Sequence, residues 1–252
     1  MRALVRRPSP RMAEGLITHI ARTPVDLPLA QRQWEAYVAA LRAEGWETVE
    51  VAPADDCPDA AFVEDTVVVY GDLAVISRPG ADERKPETAG TEEALRGLGY
   101  RIARIEAPGT LDGGDVLKHD GTVWVGLGGR TNASGLEQLA ALLGPLGGRV
   151  VGVPVAKVLH LKSAVTALPD GTVIGYEPLV DEPATWDAFL PVPEEPGAHV
   201  VLLDDRSVLM SANAPRTARL FEERGLRVVT VDISEFEKLE GCVTCLSVRL
   251  RG

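Results

Sequence analysis

The segment Val116-Leu-Lys-His-Asp-Gly-Thr-Val-Trp-Val-Gly-Leu127 decides the fold, because its pattern recurs. Strand-like runs at Val116–His119 and Val123–Leu127 flank an Asp120-Gly121 pair, which marks a tight hairpin turn. The same pattern surrounds Gly71-Asp72, between Val67–Tyr70 and Leu73–Ser77, and Asp170-Gly171, between Ala164–Leu168 and Thr172–Tyr176. These three tips lie about fifty residues apart, a repeat period. A fourth turn, Asp204-Asp205, follows sooner. Either it joins His199–Leu203 to Ser207–Ser211, or those strands belong to neighbouring repeats.

Most of the hairpins are followed by an amphipathic stretch and a further strand. Lys85–Leu98 has helical spacing and precedes Tyr100–Ile105; Ser134–Leu143 precedes Arg149–Val153; Ala214–Arg224 precedes Arg227–Val231. At the N-terminus a strand at Ala3–Arg6, a helix at Ala30–Glu44 and a strand at Thr48–Val51 lack one partner, which Cys242–Leu250 could supply. The pattern predicts an α/β propeller of five ββαβ-like units closing head to tail, strands around a central cavity and helices outside. The competing architecture is an α/β sandwich with hairpin insertions. No linker interrupts residues 1–252, so one catalytic domain is expected, with the Pro-rich stretch Pro191–Pro196 as a surface loop.

Composition narrows the class. Of 252 residues, 45% are hydrophobic and 25% charged, which is enough to bury a core without disulfide or metal staples. The net charge of −11 argues against nucleic acid or an anionic membrane as partner and leaves a small cation open. Three cysteines (Cys57, Cys242 and Cys245) form no disulfide framework, which points to a reducing compartment. Cys242-Val-Thr-Cys245 has CxxC spacing, but with no second pair and no nearby histidine it reads as neither a zinc knuckle nor, in strand-like sequence, a thioredoxin-type pair. MRALVRRPSP is too polar for a signal peptide and no apolar run approaches a membrane span, so a cytoplasmic location is expected.

Several residues could carry chemistry. Cysteine is the strongest nucleophile available near neutrality once a base or cation favours its thiolate, and Cys245 falls on a predicted strand. His160 opens another predicted strand between leucines, where a histidine is either a satisfied core residue or a general acid/base on a cavity wall. Asp59, Glu64 and Asp65 lie just before or within an apolar strand, and Asp112 and Asp115 flank a glycine pair where backbone can approach a ligand closely. Carboxylates gathered on one cavity would suit a guanidinium, and Arg84 and Arg130, in loop-like sequence, could hold a carboxylate. The four histidines are scattered without the spacing of a metal site, so neither metal nor organic cofactor is expected.

Taken in order, FVED (Phe62–Asp65), ISRPGADER (Ile76–Arg84), TLDGGDVL (Thr110–Leu117), GLGGRTN (Gly126–Asn132), LHLKS (Leu159–Ser163) and CVTCLSV (Cys242–Val248) resemble the dimethylarginine dimethylaminohydrolases, of the guanidino-modifying pentein superfamily. The resemblance spans almost the whole chain and implies a five-unit α/β propeller with a central active site. By motif it implies Cys245 as nucleophile, His160 as general acid/base and Asp112 as the carboxylate that orients the histidine. It gives Asp65 and Glu64 to the guanidinium, Asp59 to the substrate's amino group, and Arg84 and Arg130 to its α-carboxylate. Leu16 resembles the leucine of a mobile lid. Some family members carry glutamate where Asp112 stands. Cys57 and Cys242 match no functional position and are taken as structural. The implied reaction converts a methylated arginine to citrulline through a covalent thiouronium on Cys245, on a small cationic amino acid as partner, with a homodimer left open. Competing readings are an arginine deiminase or related amidinohydrolase with the same residues, and a catalytically silent guanidino-ligand binding protein.

Overall fold

The structure, a computed structural model, describes residues 1–250 apart from position 120. It contains five three-stranded sheets, each an antiparallel pair extended by a parallel strand. In the second blade Val67–Tyr70 pairs with Leu73–Ile76, and Arg101–Arg104 runs parallel beside them. The third repeats this with Val116–His119, Thr122–Leu127 and Arg149–Pro154, and the fifth with Val200–Leu202, Ser207–Ser211 and Arg227–Val231. The fourth turn therefore joins an antiparallel pair within one repeat. The hairpin tips are local chemistry: Gly71 and Gly171 take φ of +57° and +89°, which a side chain would oppose. At the fifth blade, where no glycine is available, Asp204 accepts a hydrogen bond from the Arg206 amide at 2.7 Å and shapes the turn instead.

The first blade is built from both ends of the sequence. Arg2–Val5 pairs in parallel with Glu47–Glu50 and antiparallel with Val248–Leu250, the register running from Arg2 opposite Leu250 to Leu4 opposite Val248. Its helix, Leu27–Ala43, starts where Asp26 caps the Leu29 amide at 2.9 Å with Pro28 in the first turn. Thr88–Gly97, Ala133–Leu143 and Pro215–Glu223 are the corresponding helices of blades two, three and five.

Apolar clusters show how the ring closes. One joins Leu4, Val51 and Leu250 of blade one to Val67 and Leu95 of blade two, another joins Val75 to Val125, and a third joins Leu117 to Val165. A fourth joins Ile174 to Val208, and the last brings Leu209 of blade five back to Ala3 and Tyr37 of blade one. The innermost strands of all five blades line a central channel of about 320 Å³, which includes Val67, Val116, Thr166, Val200 and Val248. This is the five-bladed propeller that the repeat predicted.

The structure corrects the element boundaries in three places. Blade four, with Val165–Ala167, Val173–Gly175 and Phe189–Pro191, has no α-helix between its second and third strands; short 3₁₀ turns at Glu177–Leu179 and Pro183–Thr185 cross instead, each with a proline in its first two positions. The stretch before Thr88 is a 3₁₀ helix, Asp82–Glu87, because Pro86 cannot donate to an α-helical ladder. His160 and Cys245 are not on strands: His160 precedes a short helix, Leu161–Ala164, and Cys245 lies in a turn, so the last strand begins only at Val248. A short buried apolar run has no periodicity to separate these conformations. Among the described residues no helix is long and apolar enough to cross a membrane.

Candidate active site

One structural position recurs in four blades, in the irregular turn that leads into the innermost strand. Asp65 lies in the 3₁₀ helix Val63–Thr66 before Val67, and Asp112 precedes the 3₁₀ helix Gly113–Asp115 before Val116. His160 precedes Leu161–Ala164 before Val165, and Cys245 lies in the turn before Val248. Side chains from residues far apart in sequence therefore meet at one end of the ring. Asp65, His160 and Cys245 line a cavity there with Leu16, Asp59, Arg84 and Arg130.

His160 is fixed from both sides. Its Nε2 lies 3.0 Å from Asp112 Oδ2, and its Nδ1 lies 3.8 Å from Asp65 Oδ1. Asp112 is held in turn by the Gly80 amide at 2.9 Å and has Arg130 at 3.6 Å. Asp115, which sequence motifs left without a role, anchors the turn: it accepts from the Leu161 amide at 3.0 Å and from Thr131 Oγ1 at 2.6 Å. The closeness of these groups explains the glycine pair. A Cβ on Gly114 would lie 2.5 Å from Asp65 Oδ1 and 2.6 Å from His160 Nδ1, so a side chain there would displace the imidazole.

The electrostatics follow from that packing. Burial alone would lower the His160 pKa, but Asp65, Asp115 and Asp112 outweigh it and raise it to about 9. Burial would raise Asp65, yet His160, Arg84 and Lys162 bring it down to about 2. Burial dominates at Asp115, which rises to about 6, and also raises Asp59. An imidazolium held against carboxylates is thus the resting state at neutral pH.

The two arginines differ. Arg84 reaches the cavity wall, but its guanidinium is committed to Asp65 at 2.6 Å, to Glu87 at 2.8 and 3.1 Å, and to the carbonyls of Asp59 and Phe62. Glu87, another residue that motifs did not single out, is what holds it. Arg130 is buried, and its Nη1 has no hydrogen-bond partner, so this is the arginine with a donor open to a ligand. Glu64, expected beside Asp65 on the guanidinium, has its carboxylate placed elsewhere. Its carboxylate lines the central channel and is taken by Lys162 at 2.6 Å and by Arg249 at 2.5 Å. Glu64 and Asp65 are neighbours in a 3₁₀ helix of three residues per turn, so their side chains diverge by about 120°, and Lys162 and Arg249 meet the Glu64 carboxylate on its side.

The segment around Leu16 closes the cavity. Asp59 accepts from the Leu16 amide at 3.1 Å, and Glu240 accepts from the amides of Thr18 at 2.9 Å and His19 at 2.6 Å. Glu240 holds this position from a left-handed backbone conformation, φ +59°, on the loop that also brings Leu239 and Gly241 to the cavity. The cavity so closed has about 10 Å³ of free volume, room for about one water molecule. Larger cavities lie elsewhere, but this one gathers the titratable groups, and chemistry outweighs size in locating a reactive site.

Cys245 and Cys242 are both buried, with sulfurs 3.3 Å apart. Such a pair titrates as a unit. It loses one proton readily and the second with difficulty. Either sulfur can donate the hydrogen bond between them, so one anion is shared across the pair, while burial and the carboxylates of Asp65 and Glu64 oppose charge on Cys245. A cation entering the cavity would oppose the last of these effects. Asp65, Asp112 and His160 also place potential ligand atoms within 4.8 Å of one another. Each is already engaged with its neighbours, and two guanidinium groups stand beside them.

Comparison with known proteins bears on what this arrangement is. The chain is 66% identical over 250 residues to a Streptomyces coelicolor protein named N(G),N(G)-dimethylarginine dimethylaminohydrolase, covering 99% of this chain and 97% of that one. The chain belongs to the dimethylarginine dimethylaminohydrolase family. A Pseudomonas aeruginosa dimethylarginine dimethylaminohydrolase is 34% identical with 98% of each chain covered. Among solved structures, a cysteine-to-serine variant of the Pseudomonas aeruginosa enzyme complexed with citrulline superposes with a TM-score of 0.92 at 33% identity, covering 99% of this chain and 98% of that one. A histidine-to-glycine variant of a dimethylarginine dimethylaminohydrolase, as an adduct with S-methyl-L-thiocitrulline, gives the same TM-score at 32% identity, with 99% of each chain covered. No family model matches the chain. The fold is that of the dimethylarginine dimethylaminohydrolases from end to end.

Proposed function

We propose that this member of the dimethylarginine dimethylaminohydrolase family hydrolyses Nω-dimethylated arginine to citrulline and dimethylamine, with Cys245 as nucleophile and His160 as general acid/base. The observation that supports it most directly is the pairing of His160 with Asp112 on a closed cavity that also receives Cys245 and the open donor of Arg130. The names of the 66% and 34% identical relatives point to the same substrate.

A guanidinium carbon is a poor electrophile because its charge is delocalised, so holding it beside a thiolate is most of the task. In this reading Asp65 holds the guanidinium, Asp59 the α-amino group and Arg130 the α-carboxylate, with Arg84 keeping Asp65 in place. Glu64 stabilises the channel side with Lys162 and Arg249 rather than touching substrate. The resting Cys245 thiol is held up by its hydrogen bond to Cys242, by burial and by the carboxylates of Asp65 and Glu64; the substrate's positive charge favours the thiolate, and the thiol proton passes to bulk water as the cation enters. The thiolate then attacks the guanidinium carbon. His160, protonated at neutral pH, gives its proton to the departing dimethylamine as the carbon–nitrogen bond breaks, which leaves a thiouronium on Cys245. The neutral imidazole next takes a proton from water. The resulting hydroxide adds to the same carbon, and collapse breaks the carbon–sulfur bond; the hydroxyl proton passes to the departing Cys245 sulfur, which restores the thiol and releases citrulline. Leu16 and the segment pinned by Glu240 exclude bulk water while the adduct stands.

Incubating the protein with asymmetric dimethylarginine and measuring citrulline and dimethylamine tests the proposal. Turnover by the parent protein and none by Cys245→Ser is the expected result. Faster turnover of unmethylated arginine with release of ammonia would assign the site to a deiminase instead.

A further inference from the structure

The CxxC pair is the one sequence motif that the proposed reaction leaves unused. Its geometry is specific. Cys242 and Cys245 are three residues apart in a turn closed by a hydrogen bond from the Cys245 amide to the Cys242 carbonyl at 3.1 Å. Such a turn holds its end Cα atoms within about 7 Å, overlapping the ~4.4–6.8 Å that a disulfide spans. The two sulfurs lie 3.3 Å apart and both are free thiols. Closing to a bond of ~2.0 Å needs a side-chain adjustment of little more than ~1 Å. Cys245 lines the cavity, whereas Cys242 sits behind it against Thr244 Oγ1 at 3.3 Å. One sulfur meets solutes and its partner waits beside it. Cys57 shares no such arrangement, being buried near Arg6 and Glu87.

We propose that Cys242 and Cys245 form a reversible redox pair, in which Cys242 resolves a peroxide-oxidised Cys245 as a disulfide. A hydroperoxide reaching the cavity transfers oxygen to the Cys245 sulfur: the sulfur–oxygen bond forms, the oxygen–oxygen bond breaks, and water or an alcohol leaves, giving a sulfenic acid. The Cys242 thiolate attacks that sulfur, the sulfur–oxygen bond breaks, and the hydroxide leaves as water with a proton from the pair. Two thiols and one peroxide become one disulfide and, for hydrogen peroxide, two waters. The hydrogen bond between the sulfurs lets one anion be shared, so each can serve in turn as nucleophile toward peroxide and toward its partner. Turnover stops because the sulfur proposed to attack the guanidinium is bonded to Cys242. A dithiol reverses the step by exchange. Without the resolving thiol, the sulfenic acid would go on to sulfinic and sulfonic acids, which dithiols do not reduce. The link to turnover rests on Cys245 as nucleophile; the disulfide itself does not.

The test exposes the full-length protein to hydrogen peroxide, maps its cysteine peptides by mass spectrometry, and then adds dithiothreitol, with citrulline formation read at each stage. In the parent protein we expect a Cys242–Cys245 disulfide, loss of activity, and recovery of most of it. In Cys242→Ala and Cys242→Val, each compared with its own untreated rate, we expect sulfinic or sulfonic acid on Cys245 and at least tenfold poorer recovery. Cys57→Ser should behave as the parent. Absence of the Cys242–Cys245 disulfide from the oxidised parent protein, or full recovery in the Cys242 variants, would overturn the proposal. A mapped disulfide with undiminished turnover would support the redox pair and overturn Cys245 as nucleophile, so the two readings fail separately.

Discussion

At the scale of single residues, the site is a histidine whose charge is set by three carboxylates. The His160 pKa is raised to about 9, above the usual 6.5 or so, so the imidazolium and the stabilisation it draws from its carboxylates are fully present below pH ~6.5 and lost as pH rises through about 9. The general acid disappears over the same window. We expect kcat/KM to fall above pH ~9, and Asp112→Asn to move that limb to lower pH while cutting kcat/KM by ~10²–10⁴-fold. A pH profile unchanged in the variant would remove Asp112 from its assigned role. Arg130 offers an open, buried donor, and a substrate without a carboxylate would leave it unanswered. Agmatine should therefore react poorly, and Arg130→Ala should lower kcat/KM for dimethylarginine by about 2–5 kcal/mol, ~30-fold or more. Equal rates on agmatine and the amino acid would show that Arg130 does not hold a carboxylate. Because the proposed route needs no metal, citrulline formation should survive exhaustive dialysis against a chelator, and added zinc should inhibit by capturing Cys245 and His160. Activity that returned only with added metal would contradict the thiolate mechanism.

At the scale of elements, the most telling one has no regular secondary structure. The segment around Leu16 to His19 is pinned across the cavity by Asp59 and Glu240, through the backbone amides of Leu16, Thr18 and His19 and through the Thr18 hydroxyl. Only about 10 Å³ is free beneath it, so in the proposed reading the segment lifts for substrate to enter and returns for chemistry. Glu240→Ala removes a charged acceptor from two amides, each such bond being worth about 1.5–3 kcal/mol. We expect KM to rise ~10-fold or more, with faster tryptic cleavage at Arg22, in the same segment. A variant with unaltered KM and unaltered cleavage would mean that Glu240 does not hold the segment. This latch was not legible in the sequence, since most of its donors are main-chain groups that look alike at every position and its acceptors lie more than 40 and 220 residues away. The hairpins, in contrast, could be read directly, because Gly71 and Gly171 put the turn requirement into residue type. Between these extremes lie His160 and Cys245. Their chemistry was visible, but buried apolar flanks suited strand, short helix and turn equally. The Glu64 carboxylate meets Lys162 and Arg249, distant in sequence, and no local pattern could have separated its place from that of Asp65.

At the scale of the whole molecule, function depends on a ring whose stability is shared between neighbouring blades. The repeat of turns made that ring legible; the missing helix of blade four was not, because its place is held by proline-containing turns rather than by any periodicity. Leu250 is buried in the cluster that joins blades one and two and belongs to the last strand of the ring. Leu250→Ala should cost about 2–5 kcal/mol in chemical denaturation. A loss below about 0.5 kcal/mol would indicate that this strand does not seal the fold.

The pairing of Arg2 with Leu250 also fixes an order of events during synthesis. A ribosome delivers residues 2–5 well before residues 248–250, so the first blade waits, one strand short, while the other four emerge and pack. The turn that carries Cys245 is released in the same late interval and is set in place by the strand that follows it. Until then the carboxylates and the histidine stand without their thiol. A chain stopped before residue 245 would have an open first sheet and lack the proposed nucleophile, exposing an unpaired edge to aggregation or proteolysis. Closure of the ring and arming of the site are therefore one step, and partly made chains are inert as well as incomplete.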